Sequence, residues 1–279
     1  MTIIKVKKAL NNNVLISEHP LYGEVVVIGK GIGFNKKKGE ELEVSAAEKI
    51  FVLRNENEQE NYKKLLSSID ESFLAVIIES IQLIKSRVSG DLNEHIHVGL
   101  TDHLALTINR IKEGIHISNP FLPETKTLYP FEFSIAEEVV ELIERKTGIS
   151  LPQAETGFIT LHIHSAATNK NLAEINRHSQ LIASLMEVIE EQLAITMDKE
   201  SIDYIRLVRH LRFAIERVLQ EEKVDEPENI ASLLQREYPL CYNLAWKLIK
   251  IMQNTLKKPV FDAEAVYLTM HLQRLQRTK

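Results

Sequence analysis

A single cysteine, Cys241, serves the whole chain, so no disulfide framework can hold this fold and the thiol suits a reducing compartment. No apolar run approaches the ~18 residues that a membrane-spanning helix requires. The opening MTIIKVKKALNNN lacks an uninterrupted apolar stretch followed by small residues, which makes it a poor secretory leader. These absences predict a soluble, cytoplasmic protein without direct membrane insertion. Catalytic signatures are scarce too. There is no GxSxG nucleophile elbow and no motif around Cys241. Two His-Ile-His triplets, at 95–97 and 162–164, raise the question of metal. Both lie in helical patterns, where positions i and i+2 diverge, and no acidic or cysteine cluster completes a ligand set. The expectation is a protein that is not an enzyme and uses neither metal nor cofactor.

What is present is unevenly spread. Of 279 residues, 44% are hydrophobic, enough for large cores and too many for one small domain. Net charge is −5, yet residues 1–39 carry seven lysines against two glutamates, leaving −10 for residues 40–279. A basic head on an acidic body implies that the head meets a polyanion. That head reads as short β-branched strands, TIIKVKKAL, NVLIS, EVVVIG and KIFVLR, separated by the turn material NNN, HPLYG and NKKKGEE. So small a sheet is marginal alone, which favours a dimer.

Within the head, VVVIGKGIGFNKKKG (25–39) admits three readings. A nucleotide loop would need a helix to follow, or the Lys-Ser/Thr of a P-loop, and neither is there. A bulged hairpin with solvated lysines is the plain alternative. The third is a polyanion surface: Gly29, Gly31 and Gly33 let a backbone come close, while Lys8, Lys30 and Lys36 bring charge. Asn11, Asn12 and Asn13 would then offer amides to base edges, and Phe34 a ring for stacking. No recognition helix is available here, so RNA is favoured over DNA.

NENEQEN (55–61) reads as a linker or a first helical turn. Beyond Tyr62 the period changes: Leu66, Ile69, Phe73, Ile77, Ile81 and Ile84 mark an amphipathic helix. Further helices fit 92–113, 132–147 and 154–168, with proline-bearing loops NPFLPET and SLPQ. The pattern then repeats. At an offset of 109, Tyr129-Pro130, Ala136, Glu155 and Thr160-Leu161-His162 match Tyr238-Pro239, Ala245, Glu264 and Thr269-Met270-His271. At an offset of 107, Leu100, His103, Leu104, Ile108 and Arg110 match Leu207, His210, Leu211, Ile215 and Arg217. Two helical domains of about one hundred residues follow the head, each with two histidines at matching places. A neutral imidazole nitrogen is a competent nucleophile, and a phosphoryl group on it would add about −1.5 to −2 charges at a packed surface.

On LNNNV, VVIGKGIGF, LTDH, GFITLHIHSA, EYPLCYNLAWKLI and AEAVYLTMHL, the chain resembles transcriptional antiterminators of the BglG/SacY type. KKALNNNVLI, LNEHIHVGLTDH and NPFLPET are most similar to the glucose-type members. The resemblance spans the full length and implies a multidomain protein: an all-β RNA-binding head (1–60), then two all-α phosphotransferase-system regulation domains (61–170 and 171–279). It implies a homodimer that clasps an RNA hairpin overlapping a terminator, so that transcription reads through. Lys8, Asn13, Gly29, Lys30 and Phe34 fall on the family's RNA-contacting positions. Lys30 stands where many relatives have arginine, which exchanges a planar fork for a point charge. His103, His162, His210 and His271 match the regulatory phosphorylation sites. In similar proteins the sugar permease (enzyme II) phosphorylates the first domain when sugar is absent and inactivates, whereas HPr phosphorylates the second and activates some members. Glucose-type relatives depend less on that second signal. The alternative is a DNA-binding activator sharing the regulatory domains. It would need a helix-turn-helix, and the first 60 residues show no two adjacent helical patterns.

Overall fold

The computed structural model describes residues 2–52, 56–222 and 230–277. The head is one antiparallel sheet of β1 (Ile3–Asn11), β2 (Val14–His19), β3 (Gly23–Ile28), β4 (Glu41–Glu43) and β5 (Lys49–Phe51), ordered β4-β1-β2-β3-β5. Within NKKKGEE, read as a turn, Glu41 opens β4, which pairs with Ile3–Lys5 of β1. The segment is too short and charged to announce itself as a strand. KIFVLR is a strand only over Lys49–Phe51, and its last two residues lie outside the described ones.

Consecutive residues are buried along β2 (Val14 to Ser17) and β3 (Val25 to Ile28), because both faces of the sheet are covered. Val14, Val26, Ile28 and Phe51 pack against Tyr62, Leu66 and Leu74 of the first two helices. Ile4, Val6, Leu15, Val25 and Val27 pack on the other face with Ile32. Each such side chain, fully buried, contributes roughly 1.5–3 kcal/mol.

The helices are α1 (Glu56–Ser68), α2 (Glu71–Arg87), α3 (His95–Lys112), α4 (Leu122–Leu128), α5 (Pro130–Thr147), α6 (Gln153–Thr168), α7 (Leu172–Leu193), α8 (Ile202–Gln220), α9 (Ile230–Glu237), α10 (Pro239–Leu256) and α11 (Ala263–Arg277). The single helix expected beyond Tyr62 is two. Asp70 caps the second by accepting from the N–H groups of Ser72 and Phe73, and a cap there ends continuity although the apolar period runs through. NPFLPET is likewise not all loop: a proline in the first turn opens α4 rather than breaking it.

Contacts gather the chain into two units, Met1–His116 with Ile135–Thr156 and Ala166–Asn169, and Ile117–Ser134 with Gly157–Ser165 and Lys170–Lys279. In the second unit, Leu185, Ile189, Leu207, Leu211, Leu244, Leu248, Leu268 and Leu272 form the core. No helix among the described residues is long and apolar enough to cross a membrane.

Candidate nucleic-acid interface and histidine sites

The asparagine run and the glycine run are one structure. Gly29 N–H donates to the Asn13 carbonyl (3.0 Å), Gly31 N–H to Asn13 Oδ1 (2.8 Å), and Gly33 N–H to the Asn12 carbonyl (2.9 Å). Asn11 Oδ1 in turn accepts from Asn13 N–H (2.9 Å), closing the β1–β2 turn. Asn13 is therefore buried, with its oxygen already occupied, and holds the glycine loop in place. Gly31 sits at φ +69°, in the left-handed region. A Cβ on Gly33 would stand 2.2 Å from the Asn11 carbonyl oxygen, so only glycine lets the two strands' turns touch.

Around this clamp the other candidates are accessible. Phe34, in the turn that follows β3, is 62% exposed, so its ring is open to a stacking partner. Lys30 is exposed while its backbone N–H donates to Glu48 Oε1 (3.0 Å). Lys8 is exposed and, like Asn11, follows a shift of register against β2, a bulge that re-aims the side chain. Two side chains of α2 secure the loops from below. Glu71 accepts from Asn12 N–H (2.9 Å), and Gln82 donates to the Glu48 carboxylate that holds Lys30. None of Glu48, Glu71 and Gln82 stood out in the sequence, because single Glu and Gln residues of this kind look like any solvated surface.

The histidines sit on helices with heptad spacing, which returns to the same face after two turns. His103 and Arg110 share a face of α3, as His210 and Arg217 share one of α8. Glu155 and His162 lie seven apart on α6, and Glu264 and His271 on α11. In the first unit His103 Nε2 lies 2.9 Å from Glu155 Oε2. Glu155, 3% exposed, also accepts from Thr107 (3.1 Å) and Arg110 (3.3 Å). Burial alone would raise its carboxyl, but the bond and charge of His103, with Thr107 and Arg110, hold it below the usual carboxylate range. His162 is half-buried on α6.

In the second unit the corresponding Glu264 is gripped bidentately by Arg217 (2.8 and 2.9 Å) and stays 3.7 Å from His210 Nε2. The His210 ring instead packs on that of His271, centroids 4.6 Å apart. Burial, then the charges of His271 and Arg217, push His210 down to about 3, so the 3.7 Å approach is no ion pair at neutral pH. Burial and Arg274 lower His271 as well. Both present neutral rings, the form in which a ring nitrogen can take a phosphoryl group. Glu155, Glu264, Arg110 and Arg217 were matched by the internal repeat, yet only folding shows them around the histidines. Among the described residues no group of three or more His, Cys, Asp or Glu side chains could hold a metal ion.

A bulged basic sheet with an exposed ring, followed by two copies of a helical His–Glu–Arg arrangement, defines a modular regulator of nucleic acid. Residues 4–60 match the CAT RNA binding domain, and residues 78–166 and 183–275 each match the PRD domain. The chain is 56% identical over 270 residues to the PtsGHI operon antiterminator of Bacillus subtilis (strain 168), covering 97% of this chain and 96% of that one. It is 39% identical over 269 residues to the GlcA/glcB genes antiterminator of Staphylococcus carnosus (strain TM300), covering 96% and 94%. A solved structure, the crystal structure of GlcT CAT-PRDI, aligns with a TM-score of 0.54 at 50% identity over 60% of this chain and 99% of that one. The chain belongs to the family of transcription antiterminators that join a CAT RNA binding domain to PRD domains.

Proposed function

We propose that this antiterminator binds an RNA hairpin as a homodimer, blocks a terminator of a glucose permease operon, and is switched by phosphorylation of its histidines. In this reading residues 1–60 bind RNA, residues 61–170 form the first regulation domain and residues 171–279 the second. Phosphoryl groups come from the sugar permease to His103 and His162, and from HPr to His210 and His271. Lys8, Asn11, Lys30 and Phe34 contact the RNA, while Asn13 and Gly29 shape the loops that present them. The route from site to head runs through packed helices of one unit: His103 is on α3, α3 packs on α2, and α2 holds both loops through Glu71 and Gln82.

The exposed Phe34 ring beside the Asn–Gly clamp carries the RNA-binding assignment. Phe34→Ala should weaken hairpin binding by roughly 1–3 kcal/mol, the worth of one stacked base. Since the ring is largely outside the core, the melting temperature and the mass of the assembly should not move. Measuring affinity, mass and melting together tests this. Wild-type affinity in an intact protein would exclude stacking by Phe34.

A further inference from the structure

The excess of positive charge in the sequence lies within residues 1–39, but folding sets two more lysines beside it. α1 packs along β1, and between them runs an open groove of about 600 Å³ bordered by Lys7, Lys8, Lys63 and Lys64, with Glu24 and Glu60. Half of these lysines are neutralised. Lys7 Nζ lies 2.5 Å from Glu18 and 3.3 Å from Glu24. Lys63, whose side chain is mostly covered, pairs with the same Glu24 and with Glu60 at 2.8 Å.

Lys8 and Lys64 remain. Both are exposed, and neither has an ion pair among the described residues. Lys64 shares its helix face with Glu60, Ser67 and Ser68, the face that borders the groove. The two serine hydroxyls donate to the carbonyls of Lys63 and Leu65 (2.8 Å each), so the lysines are what this side offers an incoming anion. A flexible lysine suits a phosphate better than a base edge.

We infer that Lys64 meets a backbone phosphate of the bound RNA across the groove from Lys8, so that the RNA contact continues past the head onto α1. This rests on the RNA-binding assignment of the head and extends it by a residue outside it. The contact would position the RNA without reading its sequence.

The test uses the full chain and a hairpin that the wild-type chain recovers from a random RNA pool, titrated between about 50 and 200 mM salt. Lys64→Gln should bind several-fold more weakly, keep the same sequence preference, and flatten the slope of log affinity against log salt by about 0.9 for each Lys64 on a phosphate. Lys64→Arg, which keeps the charge, should restore both. Wild-type affinity and slope in Lys64→Gln, while Phe34→Ala still weakens binding, would overturn this inference and leave the RNA-binding head intact. Weaker binding with an unaltered slope would overturn it too, since that marks altered folding instead of a lost phosphate. A wild-type chain that recovers no hairpin would overturn both.

Discussion

Gly33→Ala should abolish RNA binding, and Gly31→Ala should only weaken it. The two glycines are required for different reasons. At Gly31 the backbone is left-handed and the space around a Cβ is open, so alanine costs only the strain of that conformation, about 1–2 kcal/mol. At Gly33 the conformation is ordinary, but the new methyl would lie 2.2 Å from the Asn11 carbonyl oxygen and 3.3 Å from the carbonyl carbons of Asn11 and Asn12. Those are backbone atoms and cannot rotate away. The β1–β2 turn must then part from the glycine loop, and the Gly33 N–H bond to Asn12 and the Gly31 N–H bond to Asn13 go with it. Forcing extra volume into a packed site costs about 1–3 kcal/mol, sometimes more, and here the lost bonds add to that. Lys8, Asn11, Lys30 and Phe34 would no longer be held in one arrangement. Thermal melting and hairpin affinity of both variants check the expectation. Equal effects of the two substitutions would mean that the Gly33–Asn11 approach does not organise the surface.

The helices of the regulatory part were legible in the sequence because Leu, Ile and Val recur at three- and four-residue steps, and burial on one face forces that pattern. α4 was hidden by its proline, which looks like a breaker in a string and acts as a starter at the first turn. The gap between α1 and α2 was hidden for the opposite reason. Leu66 and Ile69 keep the period up to Asp70, and the cap that ends continuity is a single side chain reaching two backbone N–H groups. Around the histidines the internal repeat carried more than it revealed. It paired Glu155 with Glu264 and Arg110 with Arg217, but a repeat cannot say that two residues on different helices face each other. Nor does it say that Glu155 bonds its histidine while Glu264 is claimed by arginine. The asparagine run was legible as a turn. That the glycines' N–H groups are what it binds is a matter of strand register, set by bulges that no local pattern marks.

His103→Asp should silence read-through even when glucose is present, and Glu155→Gln in the same chain should restore it. The 2.9 Å contact between His103 and Glu155 lies deep enough that Glu155 is 3% exposed. An imidazole that carries a proton on Nε2 makes this contact favourable. A phosphoryl group on the ring would bring about two negative charges to a buried carboxylate. Unit charges of like sign 4 Å apart repel by ~4 kcal/mol at an effective dielectric of 20, and a dianion roughly doubles that. Arg110, within reach of Glu155, offsets part of it. The remainder falls near the ~5.5 kcal/mol needed to invert a two-state equilibrium, and modification of both protomers in a dimer would exceed it. Because α3 packs on α2, and α2 anchors the loops carrying Asn12 and Lys30, a displaced α3 weakens the arrangement that binds RNA. Asp at position 103 supplies one of the charges permanently. Removing the opposing carboxylate with Glu155→Gln removes the repulsion, so the double variant should recover activity, a coupling that independent sites would not show. His103→Ala, with no acceptor and no charge, should read through whether or not glucose is supplied. A terminator reporter measured with and without glucose decides among these outcomes. If His103→Asp is equally silent with and without Glu155, the charge acts elsewhere. If His103→Ala still shuts off when glucose is withdrawn, His103 is not the essential acceptor and the signal enters through His162.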